Sequence, residues 1–169
     1  MDAVRVREAD LTSSADAHGI IEVLDSYASD PIGDGEPLSE AVRERLIPAL
    51  RDHPTTLVLL AVLDGRPIGV AACFFGFSTF RARPLLNIHD LAVLPEYRGN
   101  GIGRLLLGDA EKRARQRGCC KLTLEVRTDN NRARKLYERL GFQTTVGGDS
   151  AQMLFLNKPL AAAARPASE

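Results

Sequence analysis

No excess of either charge marks this chain of 169 residues, in which 22 Lys and Arg stand against 22 Asp and Glu. General nucleic-acid and membrane-surface binders usually carry a basic excess, so neither partner is expected. Long apolar runs are missing too. None reaches the ~18 to 20 residues of a membrane span, and residues 1–8 have no signal-peptide character. The expectation is a soluble, cytoplasmic protein. Cysteine is scarce and odd in number: Cys73, Cys119 and Cys120 have neither metal-ligand spacing nor an obvious partner. They read as reduced, buried or half-buried small residues, with no metal. Internal repeats are absent, and the length suits one domain able to bury a real core.

Taken in order, residues 4–7 alternate and predict a strand. Asp10 or Thr12 can cap a helix over 14–27 that places Ile20, Val23, Leu24 and Tyr27 on one face. A loop rich in Asp, Gly and Pro follows at 29–37. A second helix over 38–50, capped by Ser39, should turn Val42, Leu46 and Ala49 inward, and Pro48 is expected to end it early. Two strand-like runs, 55–63 and 67–77, are joined by the hairpin signal Asp64-Gly65. Residues 80–84 read as a connection and 86–93 as a strand. In the helical run to 117, Ile102, Leu106, Ala110 and Ala114 recur every four residues, Leu105 widens the stripe, and Gly118 stops it. Residues 121–127 alternate again, and the crossover makes this strand parallel to the one before the helix. A short helix over 132–140 shares Ala133, Leu136, Tyr137 and Leu140 on a face and closes at Gly141-Phe142. A last strand is read at 152–156, leaving a domain over 1–160 and a flexible tail at 161–169. The order predicts a mixed α/β fold around one sheet.

The stretch that carries chemistry is the glycine-rich turn Arg98-Gly99-Asn100-Gly101-Ile102-Gly103, delivered by a strand onto a helix start. Backbone N–H groups without intrahelical partners converge there, and the helix dipole favours an anion. Glycine lets the backbone approach a diphosphate, and Arg98 adds a fixed positive charge. No Gly-Lys-Ser/Thr follows, so the turn is not a P-loop. The third glycine comes one residue early for a dinucleotide fingerprint, and the turn follows a central strand. A nucleotide-binding α/β module stands as an alternative with these features against it.

Arg98-x-x-Gly101-x-Gly103 resembles the Arg/Gln-x-x-Gly-x-Gly/Ala turn of the GCN5-related N-acetyltransferase (GNAT) family, as do the flanking Asp90-Leu91-Ala92-Val93 and Pro95-Glu96-Tyr97. Independently, Asn130-x-x-Ala133-x-x-Leu136-Tyr137-x-x-x-Gly141-Phe142 matches a second segment of that family at every named position. The element order is also the family's. The resemblance implies a mostly antiparallel sheet with a splayed parallel pair, acetyl-CoA as co-substrate, and its pyrophosphate on Arg98, Gly99, Asn100, Gly101, Ile102, Gly103 and Arg104. It implies that the backbone around Leu91, Ala92 and Val93 pairs with pantetheine amides, that the Asn130 amide reaches cofactor besides capping its helix, and that Tyr137 faces the CoA sulfur as general acid. By periodicity alone Tyr137 is a core filler. A phenol of reference pKa ~10 protonates a thiolate whose conjugate acid sits near ~8.5 only when geometry helps.

Residues 77–103 resemble the diamine and polyamine acetyltransferases, with His89 where those keep a base glutamate. An imidazole can take the proton that an alkylammonium must lose, so His89 is the candidate base, Glu96 a weaker one, and a structural histidine the alternative. His89 and its neighbour Asp90 should face opposite ways on their strand. In the family the acceptor site is built from the first two helices and the loop between them. Here Asp25, Asp30, Asp34 and Glu36 suggest a cationic small-molecule amine, with Phe74, Phe75, Phe77 and Phe80 as possible walls; protein amines stay open, and so does a solvated acidic loop. The family often forms homodimers, which are expected here. A non-catalytic acyl-CoA-binding regulator on the same fold is a further alternative, opposed by the intact Tyr137.

Overall fold

Two neighbouring side chains that bond each other decide where the first helix starts. Strand β1 (Arg5–Glu8) leads into α1 (Ser14–Ala28), and between them the Asp10 carboxylate accepts from the Thr12 amide at 2.9 Å and the Thr12 hydroxyl at 2.6 Å. Neither is then available to cap, and Ser13 does so instead, its hydroxyl accepting from the Asp16 amide. This corrects the cap expected at Asp10 or Thr12. Asp16 is buried and takes both terminal nitrogens of Arg7, at 2.6 and 2.7 Å, together with the Asp10 amide at 2.8 Å. The Arg7 hydrogen bonds, above all, hold its carboxyl below the usual range. Ile20, Val23 and Leu24 are buried as the spacing requires, and Tyr27 is half-buried.

The structure, a computed structural model, describes residues 3–146 and 153–160. The tail at 161–169 and Gln152, the first residue of the expected last strand, lie outside the described residues. The described residues form two compact units, 3–74 with 88–110, and 75–87 with 111–146 and 153–160.

In the first unit, α2 (Glu40–Asp52) is capped by Ser39 as expected, but it buries Ile47 and Leu50 while Val42 is 43% exposed and Ala49 faces solvent. The apolar stripe was read one step out of phase, because Leu46, at its edge, fits either face. Pro48 does not end the helix. It sits exposed within it, and the chain continues to Asp52 without the one bond that an imino nitrogen cannot donate. Strands β2 (Thr56–Leu63) and β3 (Arg66–Ser78) pair antiparallel across Asp64 and Gly65, both at positive φ (51° and 81°), the conformation a two-residue type I′ turn needs. The next strand, β4 (Arg83–Val93), begins earlier than expected. Pro84 is tolerated in it because a strand proline still accepts: its carbonyl takes the Cys120 amide at 2.8 Å within the second unit.

Strand order in the first unit is β1-β2-β3-β4. Helix α3 (Ile102–Gln116) buries Ile102, Leu106, Ala110 and Ala114; Leu107 widens the stripe, and Leu105, expected to do so, is 47% exposed. A side chain at Gly69 would place Cβ 3.2 Å from the Ala92 carbonyl oxygen and the Ile102 methyl, and 3.3 Å from Leu106. Its absence lets the start of α3 sit close on the sheet.

In the second unit β5 (Lys121–Arg127), α4 (Asn131–Arg139), β6 (Gln143–Val146) and β7 (Met153–Pro159) follow, in strand order β4-β5-β7-β6. Strands β4 and β5 run parallel, as the crossover demands, and β7 is antiparallel to both β5 and β6. The short β6 was not anticipated; with four residues and a register shift it offers no alternation to read. The last strand runs further than expected, to Pro159. Arg83 donates twice to the Gly118 carbonyl just past α3, at 2.9 and 3.2 Å, and Arg117 lies 4.2 Å above the Phe75 ring. Lys158 and Arg115 both pair with Glu111. The result is the mixed α/β fold that the element order predicts, with the mostly antiparallel sheet that the resemblance implies. Among the described residues no helix is long and apolar enough to cross a membrane. All three cysteines are free and buried.

Candidate active site

Past Val93 the chain turns twice. A 3-10 turn, Pro95–Tyr97, is anchored by the Leu94 amide on the Ile68 carbonyl at 3.0 Å. Gly99 and Gly101 then adopt φ of 90° and 79°, which side-chain-bearing residues rarely do. No heavy atom lies within 4 Å of where a Cβ on Gly101 would stand, so the turn opens outward. The Asn100 side-chain amide crosses it to the Tyr97 carbonyl at 3.1 Å. The first bond of α3 runs from the Leu105 amide to the Gly101 carbonyl at 3.1 Å. Ile102, Gly103 and Arg104 therefore present N–H groups with no intrahelical acceptor at the positive end of the helix dipole. Gly99, Asn100, Gly101 and Arg104 are exposed. The donor set and the open space suit a diphosphate reached from solvent.

Arg98 is engaged on two sides. Its Nε donates to the Val93 carbonyl at 2.9 Å and its terminal nitrogen to Asp30 at 2.7 Å. Of the carbonyls expected near pantetheine, that of Val93 thus already accepts from a side chain, while Leu91 is half-buried and Ala92 buried. The acidic loop is also less free than its composition suggests. Asp25 accepts from the Leu38 amide and from Arg43, each at 2.8 Å. The Ile32 amide, first, and then Arg98 hold the Asp30 carboxyl below the usual range. Asp34 and Glu36 remain exposed.

His89 is exposed, its ring 5.9 Å from Phe74 in an edge contact, and Phe74 meets His53 in the same way at 5.1 Å. Asp90 points the other way, where its charge reaches Cys73. Burial pushes the Asp90 carboxyl up, His89 draws it down and Asp34 raises it again. The opposed directions of His89 and Asp90 are those of an ordinary strand. Glu96 is exposed and 3.8 Å from Arg66, which bonds Glu22 more closely at 2.6 Å.

In the second unit Asn130 caps α4, its carbonyl oxygen accepting from the Ala133 amide at 3.1 Å. Tyr137 is 7% exposed, with its ring 5.7 Å from Phe142. Arg134 donates to the Thr128 carbonyl at 3.0 Å. Of the four phenylalanines expected as acceptor-site walls, Phe77 and Phe80 face solvent, and Phe74 and Phe75 are half-buried. The first unit gathers His89, Leu91, Ala92, Val93 and the turn from Arg98 to Arg104, and the second holds Asn130 and Tyr137. The pairing of Arg98 with Asp30, 68 residues away, was not foreseen, since no local pattern announces a contact at that separation.

Residues 20–142 match the model of the acetyltransferase (GNAT) family. An uncharacterized N-acetyltransferase of Methanocaldococcus jannaschii is 37% identical over 82 residues, 48% of this chain. That match spans only 36% of the relative's own length. The fold is similar to that of the PaiA N-acetyltransferase from Thermoplasma acidophilum, solved with coenzyme A, at a TM-score of 0.71 and 21% identity over 94% of this chain and 100% of the other. It is likewise similar to a chain of the NatC complex bound to Gag peptide and CoA, at a TM-score of 0.72 and 23% identity over 95% and 100%.

Proposed function

Since the chain belongs to the acetyltransferase (GNAT) family, we propose that it moves an acetyl group from acetyl-CoA to a primary amine by direct attack within a ternary complex. The observation that carries this reading is the outward-opening turn at the start of α3, with Gly99 and Gly101 in left-handed backbone and three helix N–H groups free of intrahelical acceptors. The diphosphate falls to the backbone donors of the segment from Gly99 to Arg104, and pantetheine to the backbone near Leu91. Both named solved relatives were obtained with CoA.

The amine must arrive neutral at the thioester carbonyl, and the departing thiolate must gain a proton. His89 is assigned the first proton, taken directly or through water, because it is exposed on β4 beside Phe74. Tyr137 is assigned the second, by its place in the Asn130-to-Phe142 motif. The acceptor we infer is a small amine of the diamine or polyamine type. With Asp25 and Asp30 paired internally, Asp34 and Glu36 are the loop carboxylates left to attract a second positive charge.

Thermal unfolding with acetyl-CoA, CoA, ATP and NAD tests the cofactor. A ligand at 100 times its Kd stabilises by ~2.7 kcal/mol, or about 5 to 10 °C at this size. Both CoA forms should give that shift and the nucleotides none. Acetylated product from a panel of amines, read by mass, then tests transfer. A shift without turnover on any amine would favour the non-catalytic acyl-CoA binder, and no shift at millimolar CoA would overturn the proposal.

A further inference from the structure

We propose that Asp30 and Arg98 form a clasp registering the loop after α1 on the glycine turn, which makes Asp30 a positioning residue for the amine acceptor. The inference about the acceptor rests on the acetyl-transfer reading above; the clasp itself does not.

Arg98 belongs to the turn by sequence, yet its donors run backward, to the Val93 carbonyl at the end of β4 and across to Asp30. Asp30 in turn organises its own loop. Its second carboxylate oxygen accepts from the Ile32 amide at 3.0 Å, its carbonyl from the Gly33 amide at 2.8 Å, and the Gly35 amide closes on the Ala28 carbonyl at 2.9 Å. Gly33 is packed so tightly into this coil that a Cβ there would stand 2.2 Å from the Tyr27 carbonyl oxygen. The loop is thus wound on its own hydrogen bonds. Among the described residues its ion pair to the turn is the Asp30–Arg98 contact, with both side chains only about a quarter exposed. Partial burial and a second hydrogen bond on each partner distinguish it from a surface pair worth little. An amine held against this loop would consequently be positioned by an arginine of the phosphate turn.

Hydrogen exchange of the Ile32, Gly33 and Gly35 amides in the ligand-free protein reads the clasp directly. The Asp30→Asn and Arg98→Gln variants should each accelerate exchange at these amides about tenfold, in line with losing one charged hydrogen bond. The double variant should exchange no faster than the quicker single one, because one contact has been removed twice. In turnover, Asp30→Asn should raise the amine KM about tenfold and leave the Kd for CoA within about twofold. Unchanged exchange in Asp30→Asn, or additive effects in the double variant, would overturn the clasp. Altered exchange with an unmoved amine KM would overturn the positioning role. Because exchange is measured without ligand, a protein that fails to transfer acetyl groups would still report on the clasp.

Discussion

Tyr137→Phe is expected to lower kcat about a hundredfold while the Kd for CoA stays within about twofold. The substitution deletes one oxygen and keeps the ring that packs at 5.7 Å against Phe142, so α4 should retain its place. In the proposed mechanism, what is lost is the proton for the thiolate. Collapse of the tetrahedral adduct either forms the amide or returns the amine, and an unprotonated thiolate competes poorly as leaving group only when its environment is dry. A positioned general acid contributes ~10²- to 10⁴-fold, and the low end suits a phenol whose reference pKa exceeds that of the thiol. Steady-state kinetics beside calorimetric CoA binding separate this role from packing. A kcat reduced less than threefold would return Tyr137 to the core-filling role that periodicity alone suggested.

The second large effect concerns stability. Leu106→Ala should cost about 2 to 5 kcal/mol, the range for truncating a fully buried leucine, and lower Tm by roughly 5 to 15 °C. Leu105→Ala, one residue earlier, should change stability by no more than about 0.5 kcal/mol. Leu106 has no solvent exposure and abuts Gly69, where the start of α3 closes on the sheet. Leu105 is 47% exposed. Since this contact seats the helix end proposed to hold the CoA diphosphate, Leu106→Ala should also weaken CoA binding at temperatures where the protein is still folded. Equal Tm losses in the two variants would contradict the packing described for α3.

Sequence patterns revealed the elements whose cause is local and missed those whose cause is not. The Asp64-Gly65 turn was legible because two successive left-handed residues admit few side chains, and the α3 stripe because its apolar residues recur every four positions. Choosing between Leu105 and Leu107 requires knowing where the sheet lies, and the α2 stripe slipped for the same reason. The Ser13 cap was hidden by a local competition: Asp10 and Thr12 satisfy each other. The residues proposed to meet the cofactor stand out in the sequence as two motifs because each is a short local pattern. Arg98, by contrast, reads as a free positive charge until the fold supplies Asp30, and the acidic loop reads as unpaired until Arg43 and Arg98 reach it.

The burial of all three thiols has a practical side. Cys73 is pushed up to about 12, first by burial and then by the Asp90 charge, and burial is also the leading influence raising Cys119. All three thiols are buried in the folded chain, out of reach of a reagent in solution. A chromogenic disulfide reagent added during turnover would therefore count the sulfhydryl released from acetyl-CoA against a nearly silent background. The same reagent would colour the protein only as it unfolds, so one absorbance signal reports both catalysis and the integrity of the catalyst.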